Sequence, residues 1–435
     1  MRSSFCHALI AASLATCASL ALAAPAQAAS PGRAVLPAND GWASAGTGTT
    51  GGAAADAAHV FTVRNRAQLV AALNGGDATP KIIQVRGTVD FNTAADGTAL
   101  TCEDYATDGY SLDAYLTAYD PATWGRTAEP SGPQEDARAA SQKVQAERLQ
   151  VLVGSNTTIV GLGKGATILG GNLMVKGADN VIIRNLNFEN ASDCFPAWDP
   201  TDGATGNWNS EYDDLTLVTS THVWVDHNTF SDGDEPDSTL PSYYGRIYQK
   251  HDGLFDIIKG SDLVTGSWNV FKEHDKTSLI GNSDSASATD AGKLRVTLHH
   301  NLYRNITERG PRVRFGQVDV YNNSYVTTED SDYEFGYSLG VGNLSQLVAQ
   351  DNAFSLPSSV DVGTVIKKWK GGTALTADGN YVNGVETDLL AVHNTNVPSE
   401  LLGADAGWTP TLRTAVDDPA DVPHIVACHA GAGRL

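Results

Sequence analysis

A short repeated motif sets the strongest limit on how this chain can fold. Six β-type runs each end in an aromatic residue, and five of the six carry an asparagine two positions before it. The runs are NVIIRNLNF (ending at Phe188), HVWVDHNTF (Phe230), LVTGSWNVF (Phe271), VTLHHNLY (Tyr303), VDVYNNSY (Tyr325) and LVAQDNAF (Phe354). The asparagines are Asn228, Asn269, Asn301, Asn323 and Asn352, and Leu186 takes that position in the first run.

The spacing of the aromatic residues indicates a solenoid. Successive aromatics lie 42, 41, 32, 22 and 29 residues apart, which fits a bare coil of about 22 residues carrying inserts of variable length. Equivalent side chains of neighbouring coils then stack, so we expect an asparagine ladder at one bend and stacked rings inside. The predicted fold is all-β: a single-stranded, right-handed parallel β-helix with long loops and a few short flanking helices. A β-sandwich is the alternative, and the constant asparagine-to-aromatic register disfavours it.

The N-terminus predicts export. Arg2 is followed by an apolar run over 8–24 and by Ala26-Gln27-Ala28, a small-x-small cleavage pattern. We therefore predict a signal peptide over 1–28, a flexible Ala/Gly-rich leader over 29–57 and a single β-helix domain over 58–435. No later apolar run approaches the roughly 18 residues that a membrane span needs, so we expect a secreted, extracellular monomer that does not bind a membrane.

Short elements flank the repeats. The sequence patterns predict strands over 59–63 and 81–90 and helices over 66–73, 112–119 and 134–149. Removal of the signal peptide leaves Cys102, Cys194 and Cys428, which permits one disulfide and one spare thiol. Cys102 and Cys194 both lie in loops, which favours their pairing and leaves Cys428 unexplained.

The charge distribution excludes one class of partner and suggests another. The formal net charge is −21, and it becomes −22 once Arg2 is removed, so we expect no binding to nucleic acid through general electrostatics. Three arginines nevertheless fall within six residues: Arg309, Arg312 and Arg314. Pro311 places Arg309 at a bend, and Arg312 and Arg314 then share one face of an extended segment.

Two other motifs are given structural roles. The run 161–166, GLGKGA, fits a dinucleotide-binding pattern, but the following TILGGN is typical of strand and turn and not of the helix that a pyrophosphate needs. The histidines at 227, 251, 274, 299 and 300 lie on strands in different phases without a cysteine partner, so we interpret them as packed or hydrogen-bonded residues and not as zinc ligands.

A set of carboxylates recurs in phase with the repeat. Measured back from the aromatic of its own coil, Asp213 lies at −17, Asp252 at −19, Asp256 at −15 and Arg309 at −16. We expect the three carboxylates, from two adjacent coils, to converge on one face, with Arg309 one coil further along. Three carboxylates without Cys or His suit a hard cation, chiefly Ca²⁺. Turn aspartates are the alternative for each residue alone, and the agreement in phase favours a site.

These motifs resemble the secreted pectate lyases of polysaccharide lyase family 1. The resemblance is carried by NVIIRNLNF, WNSEYDDL, HVWVDHNTF, HDGLFDI, HDKTSLIGNSD and NLYRNITERGPRVRFGQVDVYNN, and it is closest between Val151 and Phe354. It implies a right-handed parallel β-helix that cleaves de-esterified polygalacturonate, an acidic polysaccharide, by β-elimination with Ca²⁺.

The resemblance also implies a role for each residue that matches the family's motifs. The calcium ligands fall on Asp213, Asp252 and Asp256, and the catalytic base falls on Arg309. The substrate-binding residues fall on Lys276 and Arg314, and Arg312 is left with a structural role. A guanidinium loses its proton only above about pH 12, so nearby cations must lower the pKa of Arg309.

Three rival functions stay open. A pectin lyase acts on methyl esters without calcium, which the intact aspartate set speaks against. A polygalacturonan hydrolase needs paired carboxylates as acid and base or nucleophile. A β-helix can also be a non-catalytic polysaccharide-binding module, since a solenoid alone implies no activity.

Overall fold

The computed structural model describes residues 31–435, and it has the predicted parallel β-helix architecture. The predicted signal peptide, 1–28, lies outside the described residues. Three sheets, here named A, B and C, run along the solenoid, and each of eight complete coils contributes one strand to each sheet in the order C, A, B. Pairing between coils is parallel, and Val385–Glu386 pairs antiparallel with Tyr381–Val382 at the end of sheet B. One coil, for example, runs through Leu215–Val218, Thr221–Asp226 and Thr229–Ser231.

The strand bounds are as follows. Sheet A contains Val60–Val63, Lys81–Val85, Thr157–Gly161, Asp179–Arg184, Thr221–Asp226, Asp262–Ser267, Val296–His299, Gln317–Tyr321, Gln346–Gln350 and Leu375–Thr376. Sheet B contains Thr88–Asp90, Thr167–Leu169, Asn187–Glu189, Thr229–Ser231, Val270–Lys276, Leu302–Glu308, Ser324–Val326, Ala353–Ser355, Tyr381–Val382 and Val385–Glu386. Sheet C contains Gln150–Val153, Asn172–Lys176, Leu215–Val218, Phe255–Ile258, Leu279–Ile280, Arg312–Val313, Leu339–Val341 and Ile366–Lys368. Two small hairpins add Ala197–Asp199 with Asn207–Asn209 and Ser242–Tyr243 with Arg246–Ile247.

The asparagine ladder lies at the bend between sheets A and B, as predicted. Each side-chain amide donates to the next at 2.9 to 3.1 Å, through Asn228, Asn269, Asn301, Asn323, Asn352 and Asn380. Asn380 is a further member, which the sequence motif missed because Val382 and not an aromatic pairs with Phe354 in the next coil. All of these asparagines are fully buried, so the ladder satisfies backbone and amide groups that water does not reach.

The aromatic residues form a continuous stack inside the solenoid. Neighbouring rings from Phe188 to Phe354 lie 4.5 to 5.1 Å apart with planes within 18° of parallel. The core extends around them through the inward-facing Val, Ile and Leu residues of all three sheets. Because every coil presents the same side chains at the same phase, the inserts between strands are free to vary in length without disturbing this core.

Short helices and one disulfide flank the solenoid. The α-helices are Arg66–Leu73, Cys102–Tyr105, Leu112–Ala118, Pro133–Leu149, Ser287–Asp290, Leu389–Asn396 and Val422–His429. The short 3₁₀ helices are Pro31–Arg33, Trp42–Ser44, Gly51–Ala54, Ala57–His59, Asn74–Gly76, Asp237–Thr239, Val362–Val365 and Pro398–Glu400. The predicted disulfide between Cys102 and Cys194 is confirmed, with the two Cα atoms 5.3 Å apart, and Cys428 is an exposed free thiol. Within residues 31–435, no helix combines the length and the apolar character that crossing a bilayer requires.

The glycines of the run 161–166 are turn residues, as expected. Gly161 ends a strand of sheet A, and the next element is the sheet B strand Thr167–Leu169. No helix begins between these two strands of the described chain, so the geometry that holds a pyrophosphate is absent here.

The segment 31–57 differs from the predicted flexible leader. It packs along the outer face of sheet A, where the Ala43 amide donates to the Thr265 hydroxyl at 3.0 Å and Ala43 is fully buried. A Cβ on Gly52 would lie only 1.9 Å from the Lys81 carbonyl oxygen. The small residues that indicated flexibility are therefore needed for close approach of the backbone to the sheet.

Candidate active site on sheet C

The three predicted metal ligands lie at the N-terminal ends of two neighbouring strands of sheet C. Asp213 comes just before the strand Leu215–Val218, and Asp256 lies within the neighbouring strand, opposite Thr216. Asp252 precedes that second strand by three residues. The two strands belong to adjacent coils, and the structure brings Asp213 and Asp256 together as the phase of the repeat predicted, whereas oxygens of all three carboxylates do not come within 4.8 Å of one another.

Gly253 marks the point where two of the carboxylates converge. A Cβ built on Gly253 would lie 2.6 Å from Oδ1 of Asp256 and 2.7 Å from Oδ1 of Asp213. The Gly253 amide donates to Asp213 at 2.9 Å, and the Leu279 amide donates to Asp256 at 2.9 Å. These bonds fix both side chains while leaving oxygen lone pairs directed at the same small space, which is what a cation bound by oxygen ligands requires.

The electrostatics of the carboxylates also favour the binding of a positive charge. Burial, followed by repulsion from Asp252, raises the pKa of Asp213 to about 7. Burial and then Asp213 and Asp252 raise the pKa of Asp256 well above its usual range. Burial opposes ionisation of Asp252 as well, yet Lys276 and Arg309 hold the pKa of Asp252 below its usual value. Arg309 also lowers the pKa of Asp213 and Asp256, but by less than burial and the neighbouring carboxylates raise it, so the charge of these two carboxylates is compensated only in part.

Arg309 lies further along the solenoid than the sequence predicted. Ile257 pairs with Ile280, and Ile280 pairs with Val313, so one whole coil separates the Asp252 and Asp256 coil from that of Arg309. The expectation that Arg309 stands one coil further along was wrong, and the separation is two coils. The intervening coil contributes the short strand Leu279–Ile280 to sheet C. This strand carries no charged side chain, so the positions of the acidic residues gave no sign of the coil.

Arg309 itself occupies the predicted bend, between the strands Leu302–Glu308 and Arg312–Val313. Its Nε donates to Glu308 Oε1 at 3.0 Å. Burial favours the neutral guanidine, but Glu308, Asp252 and Asp256 outweigh burial and raise the pKa of Arg309 above its ordinary value. Carboxylates that carry no cation therefore keep Arg309 protonated.

Lys276 and Arg314 reach this face with carboxylate partners of their own. Lys276 Nζ lies 3.1 Å from Oδ1 of Asp252. Arg314 Nε donates to Asp284 at 2.6 Å, and its Nη1 donates to the Gly281 carbonyl oxygen at 2.8 Å. The structure thus brings Lys276 into contact with the aspartate set, and it holds Arg314 on the adjacent part of sheet C.

A second polar cluster lies beside the aspartate set. Ligand atoms of Asp232, Asp237 and His251 come within 4.8 Å of one another, the one group of three or more in residues 31–435 that does so. Its atoms are already hydrogen-bonded: His251 to Asn190 at 2.8 Å, Asp232 to Tyr333 at 2.6 Å, and Asp237 to Gln249 at 3.0 Å. This cluster also contains a nitrogen ligand, which Ca²⁺ disfavours, so the aspartate set suits Ca²⁺ better.

His274 connects that cluster to the aspartate set. Its Nδ1 lies 2.6 Å from Oδ1 of Asp232, and its Nε2 lies 2.9 Å from the Asp252 carbonyl oxygen. Burial would lower the pKa of His274, but Asp232 more than offsets burial and raises it to about 9. Both ring nitrogens face acceptors, so His274 is a hydrogen-bonded residue, as the sequence interpretation of the histidines proposed.

The sequence did not predict the partners that hold the cationic residues. Glu308, Asp284 and the Asp232–His274 pair all contact site residues, yet Asp284 and Asp232 lie in irregular segments where the repeat gives no phase. Glu308 had a usable signal, since it lies directly before Arg309.

Comparison with known proteins identifies the family of this chain. The family model described as pectate lyase matches residues 6–118 and 127–399. A pectate lyase of Bacillus subtilis (strain 168) is 49% identical over 402 residues, which cover 92% of this chain and 93% of the relative. Pectate lyase E of Dickeya dadantii (strain 3937) is 36% identical over 405 residues, which cover 92% of this chain and 87% of the relative.

Solved structures agree with the sequence relatives. A pectate lyase bound to a hexasaccharide aligns with a TM-score of 0.89 and 49% identity, over 94% of this chain and 100% of that chain. A thermostable pectate lyase aligns with a TM-score of 0.90 and 46% identity, over 93% of this chain and 100% of that chain. The fold and the relatives thus define the chain as a polysaccharide lyase. The chain belongs to the pectate lyase family.

Proposed function

We propose that this chain cleaves de-esterified polygalacturonate by calcium-dependent β-elimination, with Arg309 as the base that removes the C5 proton of a uronate residue. The observation that carries the proposal is the convergence of the Asp213 and Asp256 carboxylates at Gly253, within electrostatic reach of the buried Arg309. A pectin lyase, which does without calcium, would have no use for these buried like charges.

Asp213, Asp252 and Asp256 would hold the Ca²⁺. Their oxygen-only donor set, the close approach at Gly253 and the raised pKa of two of the carboxylates all fit a hard divalent cation. When bound, Ca²⁺ supplies positive charge that offsets the negative charge developing on the uronate carboxylate as the α proton leaves.

Lys276 and Arg314 would bind carboxylate or hydroxyl oxygens of the substrate. Both are nine-tenths or more buried and held by an acidic partner, Lys276 by Asp252 and Arg314 by Asp284. Such partners keep a long flexible side chain in one orientation before the substrate arrives, which lowers the entropy cost of binding. Arg314 additionally presents a planar guanidinium, which suits a carboxylate.

Arg309 acts as base only after its pKa falls. Compensation of Asp252 and Asp256 by a bound cation removes the contributions of these two carboxylates to the raised pKa of Arg309, while the contribution of Glu308 remains. One like charge at about 5 Å in an effective dielectric near 20 is worth roughly 3 kcal/mol, or about two in pKa. The C5 proton then passes to Arg309, the C4–O bond breaks, a C4–C5 double bond forms, and the leaving oxygen takes a proton from water. The activity should therefore have an alkaline pH optimum.

A calcium-titrated assay on polygalacturonate and on highly methyl-esterified pectin tests the proposal. Ultraviolet absorbance of the unsaturated uronate and the yield of reducing ends are recorded together, with and without EGTA. We expect calcium-dependent absorbance on polygalacturonate that EGTA abolishes. Reducing ends without absorbance would indicate a hydrolase, calcium-independent absorbance on the methyl ester would indicate a pectin lyase, and binding without either product would indicate a non-catalytic module.

We also propose that the protein is secreted and acts as a monomer. The N-terminal pattern of residues 1–28 supports secretion. N-terminal sequencing of the protein from culture medium should begin at Ala29, and light scattering should give the mass of one chain.

A further inference from the structure

Arg312 differs from the two arginines beside it because it has no acidic partner. Arg309 pairs with Glu308 at 3.0 Å, and Arg314 pairs with Asp284 at 2.6 Å. Within residues 31–435, no carboxylate lies in ion-pairing distance of Arg312, and its buried Nε has no hydrogen-bond partner. A buried donor without a partner is rare and calls for a ligand or another explanation.

Trp369 holds the Arg312 guanidinium in a fixed orientation. The guanidinium carbon lies 3.7 Å from the centroid of the Trp369 ring. Stacking uses the flat face of the guanidinium and leaves its N–H edge free for a bidentate contact with a carboxylate. The Trp369 indole N–H also lacks a partner among the described residues.

A glycine in the neighbouring strand of sheet C leaves room for the Arg312 side chain against the sheet. Arg312 pairs with Gly340 in sheet C. A Cβ on Gly340 would lie 3.1 Å from Cα and Cγ of Arg312 and 2.9 Å from the Tyr337 ring. A side chain at Gly340 would therefore displace Arg312 and Tyr337. The glycine leaves the space above this position open to these two side chains.

Tyr337 adds a third polar group without a partner of normal hydrogen-bond geometry among the described residues. Only 3% of Tyr337 is exposed, and its hydroxyl lies near the Trp369 indole N–H. The hydroxyl lies within electrostatic reach of Glu308, Arg309 and Arg312. Arg312, Trp369 and Tyr337 thus place several unused donors next to the proposed base.

The position along sheet C continues the face that carries the aspartate set. In sheet C, Leu279 lies in the strand next to Asp256, and Arg312 pairs with Leu279 in the strand after that. Gly340 and then Lys367 occupy the same position in the next two strands. With strands about 4.8 Å apart, Arg312 lies roughly 10 Å from Asp256 along the solenoid axis. A polyanionic chain that crosses the aspartate set parallel to the axis would pass over Arg312 next.

We infer that Arg312, stacked on Trp369 and flanked by Tyr337, binds the carboxylate of a further uronate residue of the polysaccharide, beside Arg314 and one coil beyond Lys276 along the solenoid axis. The inference rests on the proposed function and extends it, because it assigns a uronate carboxylate as the ligand of the part of the cleft around Arg312. Arg312 is then a binding residue, in place of the structural role that the sequence suggested.

Oligogalacturonates of defined, increasing length test the inference with the full-length enzyme in saturating calcium. For Arg312→Gln we expect the ratio of kcat/KM on long to short oligomers to fall about tenfold, the loss of one charge-assisted contact. The change should appear chiefly in KM. Arg312→Lys keeps the positive charge but loses the bidentate guanidinium and its stacking on Trp369, so the ratio of kcat/KM on long to short oligomers should fall less than in Arg312→Gln.

Arg304→Gln is the matched control, because Arg304 is a half-exposed arginine on sheet B, away from the cleft. It should keep the wild-type length dependence. The inference is overturned if Arg312→Gln keeps that length dependence, including the case in which only its melting temperature falls. Wild-type formation of unsaturated product shows separately that the proposed function holds.

Discussion

Lys276 Nζ lies 3.1 Å from Oδ1 of Asp252, so a proposed substrate-binding residue and a proposed calcium ligand are in direct contact. Lys276 and Arg309 together hold the pKa of Asp252 down against its burial, whereas the effect of Arg309 on Asp213 and Asp256 is smaller than that of burial and the neighbouring carboxylates, so their pKa values stay raised. One aspartate is thus ionised within the protein itself, and the other two depend on an added cation. This asymmetry links calcium binding to pH and to the state of Arg309.

Gly253→Ala should weaken calcium binding without unfolding the protein. The new Cβ would lie 2.6 and 2.7 Å from carboxylate oxygens of Asp256 and Asp213, in the space where those oxygens converge. We expect the calcium concentration for half-maximal activity to rise at least roughly tenfold, as for other changes that displace metal ligands. Calcium titrations of activity and isothermal calorimetry measure this.

Gly165→Ala is the control for that substitution. Gly165 has an ordinary backbone conformation, and no atom lies within 4 Å of the position that a Cβ would take there. A calcium requirement that stays the same in Gly253→Ala and Gly165→Ala would mean that the convergence at Gly253 is not the calcium site.

Protons should compete with calcium in the neutral range. Burial and the neighbouring carboxylates raise the pKa of Asp213 to about 7 and that of Asp256 well above its usual range. Such carboxyls stabilise the fold below their unfolded pKa, near 4, and lose that contribution as the pH rises through the folded pKa. In EGTA, the melting temperature should therefore fall as the pH rises from about 4 through about 7. Added calcium should restore it, most strongly at the alkaline end.

Calorimetry in two buffers of different ionisation enthalpy gives an independent measure of the same linkage. Calcium binding at pH 7 should release protons, because ligands must be deprotonated to bind the ion. An affinity that does not change between pH 6 and 8, with no proton release, would contradict the raised pKa values.

The repeat predicted the fold and most of the site because both follow from side chains at fixed phase. The aromatic stack extends through all six predicted runs and the asparagine ladder through five of them, and inserts of different length leave both in register. Asp213 and Asp256 were located for the same reason, since each lies at the start of a strand in sheet C.

The predictions were wrong for parts of the chain where the repeat places no recognisable side chain at a fixed phase. The coil between Asp256 and Arg309 is the run that ends at Tyr303, but its two-residue strand in sheet C carries no charge, and the predicted position of Arg309 omits that coil. Segment 31–57 has no repeat, and its alanines and glycines suggested mobility although they permit tight packing on sheet A. Partners such as Asp284 and Asp232 lie in inserts, where only tertiary structure brings them to Arg314 and His274.

Arg309→Lys should abolish turnover while substrate binding is largely retained. Lysine keeps the positive charge, but it loses the planar fork and the Nε contact with Glu308. We expect kcat to fall by about 10² or more, as for loss of a general base, with a much smaller change in the Kd for oligogalacturonate. Stopped assays give the rate, and calorimetry with a calcium-loaded enzyme gives the affinity. A near-normal kcat would remove Arg309 from the base role.

Asn301→Ala should destabilise the solenoid from its middle. The Asn301 amide donates to the Gly266 carbonyl at 3.0 Å and to Asn323 at 2.9 Å, and its oxygen accepts from Asn269. Alanine leaves these buried groups without partners, at a cost of about 3 kcal/mol in the free energy of unfolding.

Asn187→Ala is the matched control, since Asn187 is only half-buried and its side chain bonds only to backbone carbonyls of 164 and 166 among the described residues. Its cost should stay below about 1 kcal/mol. Equal losses in the two variants, measured by chemical denaturation in calcium, would show that the ladder adds nothing beyond an ordinary hydrogen bond.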